Sequence, residues 1–121
     1  MQKDSTADIT LYHNPRCSKS RQALALLQER GIEPDLVLYL DTPPSGDQLR
    51  ELLRQLGMAP RDLLRKGEDA YKEQGLDNPA LDEAALIAAM TGHPKLIERP
   101  IAVRGDRAVV GRPPERVLEL L

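Results

Sequence analysis

Short apolar runs and longer stretches with helical spacing alternate along the first third of the chain. The run Ile9–Tyr12 is β-branched and aromatic and predicts a first strand. The stretch Arg21–Arg30 has helical spacing and stops at Gly31, a residue type that favours the end of a helix. Pro34–Leu40 predicts a second strand. Because a strand, a helix and a strand follow in this order, we expect a parallel strand pair with a right-handed crossover.

The middle of the chain is predicted to be helical throughout. In Gln48–Leu56 the leucines recur at i, i+3, i+4 and i+7, and either Ser45 or Asp47 can cap this helix. Three further helical segments are predicted, at Ala59–Lys66, Tyr71–Gly75 and Asp82–Met90, the last capped by Asp82.

The last part of the chain predicts a strand hairpin followed by a helix. Pro100–Val103 and Ala108–Val110 are apolar runs separated by a turn at Gly105-Asp106. Pro113–Leu121 begins with prolines and predicts a closing helix.

These elements predict a single α/β domain over residues 1–121. A βαβ unit and a ββα unit assemble into a small mixed sheet, with an all-helical insertion at about 46–92, which is the layout of a thioredoxin-like fold. In that fold a proline before the third strand has a cis peptide bond and faces the active-site cysteine, so we expect a cis bond at Arg99–Pro100.

The composition of the chain argues against several classes of function. Of the 121 residues 40% are hydrophobic and 30% charged, and the formal net charge of −2 offers no general attraction to nucleic acid or anionic membrane. No apolar run is long enough to span a bilayer, so we expect a cytoplasmic protein. One cysteine excludes an internal disulfide, and together with two histidines far apart in sequence it offers no metal-ligand spacing.

The single cysteine, Cys17, is the candidate nucleophile. It falls between the first strand and the first helix, where unpaired N–H groups and the helix dipole favour a thiolate. Positive side chains are close in sequence, at Arg16, Lys19 and Arg21. We therefore expect a lowered thiol pKa, with Ser18 or Ser20 capping the helix or bonding the sulfur. The alternative is a cysteine that serves as a small buried apolar residue.

Five segments resemble a known family: His13–Arg21, Tyr39–Pro44, Leu63–Lys66, His93–Ile101 and Gly111–Glu115. They are similar to the glutaredoxin-coupled arsenate reductase family, the ArsC family, in the subgroup with Cys-Ser-Lys-Ser at residues 17–20. The resemblance covers nearly the whole chain. It implies a thioredoxin-like fold with no bound cofactor, in which a cysteine attacks arsenate or a similar oxyanion.

The resemblance also implies residue roles. Cys17 is the nucleophile, and the oxyanion is held by three arginines, Arg65, Arg99 and Arg112. Supporting positions are His13, Ser20, Arg16, Lys19 and Pro100. Because the chain has one cysteine, the later steps need outside thiols, with glutathione as co-substrate and glutaredoxin as the partner that clears the mixed disulfide.

Alternatives stay open for these residues. Each arginine has an acidic neighbour with which it can form a surface ion pair: Asp62 or Glu68 for Arg65, Glu98 or another nearby acid for Arg99, and Glu115 for Arg112. His13 can equally be a strand-end histidine bonded to the backbone.

Two alternative functions also stay open. Cys17-Ser18-Lys19-Ser20 is a C-x-x-S pattern that suits a monothiol glutaredoxin-like oxidoreductase of another substrate. The other alternative is a regulatory binding module like the Spx-type relatives of this fold, which contact RNA polymerase. Those relatives carry a C-x-x-C switch, and Ser20 excludes a disulfide here.

Overall fold

The computed structural model describes residues 9–121, and these residues form two compact units. The first unit comprises the described residues up to Tyr39 together with Arg99–Leu121, and the second is Leu40–Glu98. In sequence, the second unit is thus inserted into the first. Residues 1–8, which the predicted single domain includes, lie outside the described residues.

One four-stranded sheet organises the first unit, in the order β2-β1-β3-β4. Its strands are β1 (Ile9–Tyr12), β2 (Asp35–Val37), β3 (Ile101–Arg104) and β4 (Arg107–Val110). β1 is parallel to β2 and antiparallel to β3, and β3 is antiparallel to β4. The central residue Leu11 is fully buried and lies opposite Leu36 on one side and Ala102 on the other. The predicted small mixed sheet and its parallel pair are confirmed.

An aliphatic core lies under this sheet. Helix α1 (Ser18–Glu29) and a C-terminal 3₁₀ helix (Pro114–Leu120) pack against each other. The buried core residues are Ile9, Leu11, Ala23, Leu27, Ala102, Val117 and Leu120. Burying a side chain of the Leu or Ile size contributes about 1.5–3 kcal/mol, so this cluster is the main source of stability for the unit.

The second unit is built from short helices. They are α2 (Gly46–Leu56), α3 (Pro60–Leu63), α4 (Asp69–Glu73) and α5 (Glu83–Gly92), followed by a 3₁₀ turn at Pro94–Leu96. Ser45, rather than Asp47, caps α2: Ser45 Oγ accepts the Gln48 N–H at 3.1 Å, and Gln48 Oε1 accepts the Ser45 N–H at 2.8 Å. Asp82 caps α5 as predicted. No helix among residues 9–121 is long and apolar enough to cross a membrane.

Two boundaries near the cysteine differ from the predictions. Helix α1 begins at Ser18, three residues before the predicted start, because the Cys17 carbonyl already accepts the Arg21 N–H at 3.0 Å. Strand β2 ends at Val37, not Leu40. The last hydrogen bond between the two strands runs from the His13 N–H to the Val37 carbonyl at 2.9 Å. Strand β1 ends at Tyr12, so it offers no residue with which β2 could pair after Val37.

The closing segment is a 3₁₀ helix, and not the ordinary helix that its prolines suggest. Its buried residues, Pro114, Val117 and Leu120, are spaced by three. A helix with three residues per turn places all of them on one face, which accounts for the tighter winding.

Candidate active site

Cys17 is the residue that opens helix α1. It occupies the N-cap position with extended backbone angles, φ −96° and ψ 125°, and its side chain is half-buried. The loop before it follows directly from β1, so the sheet fixes where the helix begins. The prediction that Cys17 lies at a helix N-terminus is confirmed, and the cap is Cys17 itself rather than Ser18 or Ser20.

The surroundings of the sulfur favour its ionised form. Burial is the largest single influence on the Cys17 pKa and raises it. Against burial act the backbone N–H of Ser20, the guanidinium of Arg99 and the backbone N–H of Lys19, and together they hold the pKa below that of an ordinary cysteine thiol. The Cys17 side chain itself makes no helix-capping hydrogen bond. A reactive thiolate is therefore favoured over an inert buried thiol.

Arg99 is the charged group that acts on Cys17. Its guanidinium lowers the pKa of Cys17, because hydrogen bonding and positive charge from that side both favour the ionised sulfur. Within the described part of the first unit, no carboxylate lies within ion-pair distance of Arg99, and its buried Nε has no hydrogen-bond partner. Glu98, the acid next to Arg99 in sequence, pairs with Arg65 in the second unit. Once ionised, the Cys17 sulfur therefore supplies a counter-charge to this half-buried cation.

Arg112 contacts the backbone of Arg99. Its Nη1 donates to the Arg99 carbonyl at 3.3 Å, while the side chain stays exposed. Both arginines precede cis prolines, Pro100 and Pro113. The cis bond at Arg99–Pro100, predicted from the fold, is confirmed, whereas no sequence signal indicates the cis bond at Arg112–Pro113.

Gly111 allows these two segments to approach each other. Its N–H donates to the Pro100 carbonyl at 2.8 Å. A Cβ placed on Gly111 would lie 2.9 Å from Pro100 Cγ and 3.0 Å from Val117 Cγ1, which is closer than side chains tolerate. Glycine is therefore required here by the packing of Pro100, which is fully buried, and the supporting role of Pro100 at the site stays a prediction.

Beneath the loop lies a buried polar cluster. Ser20 Oγ is 2.8 Å from His13 Nδ1 and accepts the Asn14 N–H at 3.0 Å. All three residues are buried. Burial lowers the pKa of His13, and the positive charge of Arg21 lowers it further, so the imidazole is neutral at neutral pH. His13 and Ser20 thus lie together below the cysteine loop, and the expectation that Ser20 caps the helix through its hydroxyl is wrong.

Asn14 is a site residue that the sequence reasoning missed, because its position before proline indicates only a turn. Its Oδ1 accepts the Arg16 N–H at 3.0 Å and its carbonyl accepts the Cys17 N–H at 2.9 Å. The Asn-Pro pair was the available signal, since asparagine before proline commonly starts such a turn. Asn14 thus stabilises the loop that carries Cys17 through these two hydrogen bonds.

Two of the expected positive residues act less directly. Arg16 and Lys19 have exposed side chains. Lys19 influences the sulfur through its backbone N–H and not through its ammonium group. Arg16 contributes its backbone N–H to the Asn14 turn.

Arg65 belongs to the second unit. Leu64 and Ile97 form an antiparallel bridge there, and the Arg65 N–H donates to the Leu96 carbonyl at 2.7 Å. The guanidinium is 3.2 Å from Glu68 Oε2 and 3.7 Å from Glu98 Oε1. The alternative of an ion pair with Glu68 is confirmed, and the role of Arg65 in oxyanion binding stays a prediction.

The sequence pattern of the ArsC family matches residues 12–120. The chain belongs to the ArsC family. A similar protein, YfgD of Escherichia coli K12, is described as uncharacterized and is 55% identical over 117 residues, which cover 96% of this chain and 98% of YfgD. A Neisseria meningitidis protein named arsenate reductase is 51% identical over 115 residues, covering 94% of this chain and 98% of that protein.

The fold agrees with this family assignment. The structure of arsenate reductase from Vibrio cholerae matches with a TM-score of 0.92 and 52% identity, covering 93% of this chain and 97% of that one. The predicted α/β fold of the ArsC family is therefore confirmed. Within residues 9–121, no group of three or more His, Cys, Asp or Glu side chains is arranged to hold a metal ion.

Proposed function

We propose that this protein is an arsenate reductase that uses Cys17 as its nucleophile. The observation that carries the proposal is the pairing of Cys17 with Arg99, a half-buried arginine for which the described part of the first unit provides no carboxylate partner. A sulfur with a lowered pKa, next to an arginine that has no carboxylate ion-pair partner in the described part of the first unit, suits a reaction with an oxyanion. Similar members of the ArsC family carry the name arsenate reductase.

The first step joins sulfur to arsenic. Arsenate carries two negative charges near neutral pH, so a thiolate approaches it only where fixed cations offset the repulsion. The Cys17 thiolate attacks the arsenic atom and an S–As bond forms. One arsenate oxygen takes up protons and leaves as water, and the arsenic remains As(V).

Arginines hold the oxyanion during this attack. Arg99 is adjacent to the sulfur, and Arg112 is anchored to the Arg99 carbonyl with its side chain exposed. A planar guanidinium gives paired hydrogen bonds to tetrahedral oxyanions. Arg99 and Arg112 are therefore proposed as substrate-binding residues, while Arg65 keeps that role only as the resemblance implies it.

Outside thiols complete the cycle, because the chain has no second cysteine. The glutathione thiol attacks the Cys17 sulfur, an S–S bond forms and the S–As bond breaks. The electron pair of the broken bond stays with arsenic, which leaves as arsenite, As(III), and takes the glutathione proton. A glutaredoxin thiolate then attacks the glutathione sulfur of the mixed disulfide and regenerates the Cys17 thiolate.

A coupled assay tests the proposal. Arsenate-dependent oxidation of NADPH is followed with glutathione, glutathione reductase and glutaredoxin, for the wild type and for Cys17→Ser. We expect turnover by the wild type and none by Cys17→Ser, since a hydroxyl cannot form the thiol adduct. Arg112→Ala should lose about 10²-fold in rate. Arg116→Ala is the matched control, because Arg116 is exposed in the same unit and pairs with Glu119.

The other outcomes separate the alternatives. If the wild type reduces a glutathione mixed disulfide but leaves arsenate unchanged beside a competent positive control, the protein is a monothiol oxidoreductase of another substrate. If it does neither, the enzyme assignment fails and a binding module becomes the better interpretation. If Cys17→Ser retains turnover, the proposed nucleophile is wrong.

A further inference from the structure

Asn14 uses three polar groups to shape the loop that carries the cysteine. Its Oδ1 accepts the Arg16 N–H at 3.0 Å, and its carbonyl accepts the Cys17 N–H at 2.9 Å. Its own N–H donates to Ser20 Oγ at 3.0 Å. Pro15, between these residues, has a fixed φ and no N–H to satisfy. Asn14, a residue only 9% exposed, therefore stabilises this loop from inside through its side chain and backbone.

These hydrogen bonds of Asn14 determine which N–H groups are near the sulfur. Since Asn14 takes up the N–H groups of Arg16 and Cys17, helix α1 starts immediately after Cys17. The N–H groups that follow in its first turn include those of Lys19 and Ser20, which stabilise the ionised sulfur. Releasing the Asn14 turn would free Cys17 to leave this position.

The same turn occurs a second time in the chain. In the segment Asn78–Leu81 the asparagine is again followed by proline, Asn78 Oδ1 accepts the Ala80 N–H at 2.9 Å, and the Asn78 carbonyl accepts the Leu81 N–H at 3.2 Å. This copy lies before α5, where Asp82 is the cap, and Asn78 is exposed. The turn is thus a local property of the Asn-Pro pair, and of these two copies the one at Asn14 carries a cysteine.

We propose that Asn14 is a positioning residue for the reactive cysteine: its side chain keeps the Cys17 sulfur at the start of α1 and beside Arg99. The inference rests on the proposed function only in taking Cys17 as the nucleophile. Asn14 itself need not touch substrate, and its effect passes through the geometry of the loop.

Thiol reactivity without arsenate tests this proposal. The rate of Cys17 alkylation by iodoacetamide is measured against pH for the wild type, Asn14→Ala and Asn14→Ser. We expect Asn14→Ala to react at least about threefold more slowly at neutral pH and to recover the wild-type rate at alkaline pH, where the thiol is ionised in every variant. Asn14→Ser should fall between them, since a serine hydroxyl makes the same turn more weakly.

Asn78→Ala is the matched control, because it removes the same turn far from the cysteine in sequence. Thermal melting of both alanine variants shows the loss of stability, and only Asn14→Ala should shift the alkylation profile. A profile for Asn14→Ala equal to that of the wild type would overturn the proposal, as would an equal shift in Asn78→Ala. If Asn14→Ala does not fold, the profile of Asn14→Ser decides. Because no step uses arsenate, these results stand whether or not the protein reduces arsenate.

Discussion

Arg99 stabilises the thiolate of Cys17, although the two residues are far apart in sequence. The sheet explains their meeting. Tyr12, the last residue of β1, pairs with Ile101, the first residue of β3, and the two strands are antiparallel. The segment after β1 and the segment before β3 therefore lie at the same edge of the sheet, so Cys17 and Arg99 become neighbours.

The Cys17 pKa should depend on the charge of Arg99. We expect Arg99→Met to raise the Cys17 pKa. Burial raises this pKa, and the variant removes the positive charge that acts against burial. Arg99→Lys keeps the charge and should raise the pKa less. Titration of the thiolate by ultraviolet absorbance measures both. Arg116→Met, on an exposed arginine of the same unit, is the control, and a pKa for Arg99→Met equal to that of the wild type would remove Arg99 from the site.

His13 should make the protein less stable in acid. Burial holds the His13 pKa below its usual value of about 6.5 in the folded state. Below that pH the unfolded chain takes up the proton first, so stability falls as the pH drops toward the folded-state pKa. Replacing His13 by Asn keeps a polar atom toward Ser20 and removes the proton site.

Urea unfolding at about pH 7 and about pH 5 checks this. The wild type should lose more stability over this interval than His13→Asn. The exposed His93, replaced by Asn in the same way, is the matched control, since its replacement empties no buried site. An equal loss in the wild type and in His13→Asn would contradict the prediction.

Gly111→Ala should disturb the site through packing. The added Cβ would meet Pro100 Cγ at 2.9 Å and Val117 Cγ1 at 3.0 Å. Overpacking of this kind costs about 1–3 kcal/mol of stability, seen as a lower Tm. Gly67→Ala is the control, because a Cβ there meets nothing within 4 Å. If both variants melt at the wild-type temperature, the close approach at Gly111 is not a constraint on the fold.

Arg65→Ala should lower stability whatever its part in catalysis. The change leaves Glu68 and Glu98, both partly buried, without the cation they share. We expect a lower Tm for Arg65→Ala, and a smaller decrease for Arg65→Lys. The KM for arsenate, measured on the same proteins, reports binding separately. A lower Tm with unchanged KM would give Arg65 a structural role, and a raised KM in Arg65→Lys with little change in Tm would support oxyanion binding.

The sequence is informative where local chemistry decides the structure. The apolar run at Ile9–Tyr12, the cap at Asp82 and the place of Cys17 at a helix start are all set by residues within a few positions. The partner of Cys17 is different. Its neighbourhood in sequence suggests Arg16 and Lys19 as the source of positive charge, whereas the structure assigns that role to Arg99 through the pairing of β1 with β3.

The missed end of β2 depends on contacts distant in sequence. Strand β2 stops at Val37 because its partner strand ends, and nothing within Pro34–Leu40 shows this. The Asn-Pro pair identifies Asn14 as a turn residue, but the importance of Asn14 comes from what the turn carries. Resemblance to the ArsC family implies Arg99 and Arg112 as site residues, whereas local sequence patterns do not. The prediction that Arg65 binds the oxyanion rests on this resemblance alone.

The sheet is assembled from both ends of the first unit, and this has a consequence for synthesis on the ribosome. Cys17 leaves the exit tunnel long before Arg99, since the whole of Leu40–Glu98 is translated between them. Until β3 reaches its place beside β1, the nascent chain carries a cysteine without its guanidinium partner. The sulfur therefore acquires its full acidity only after Arg99 has been translated and β3 has paired with β1.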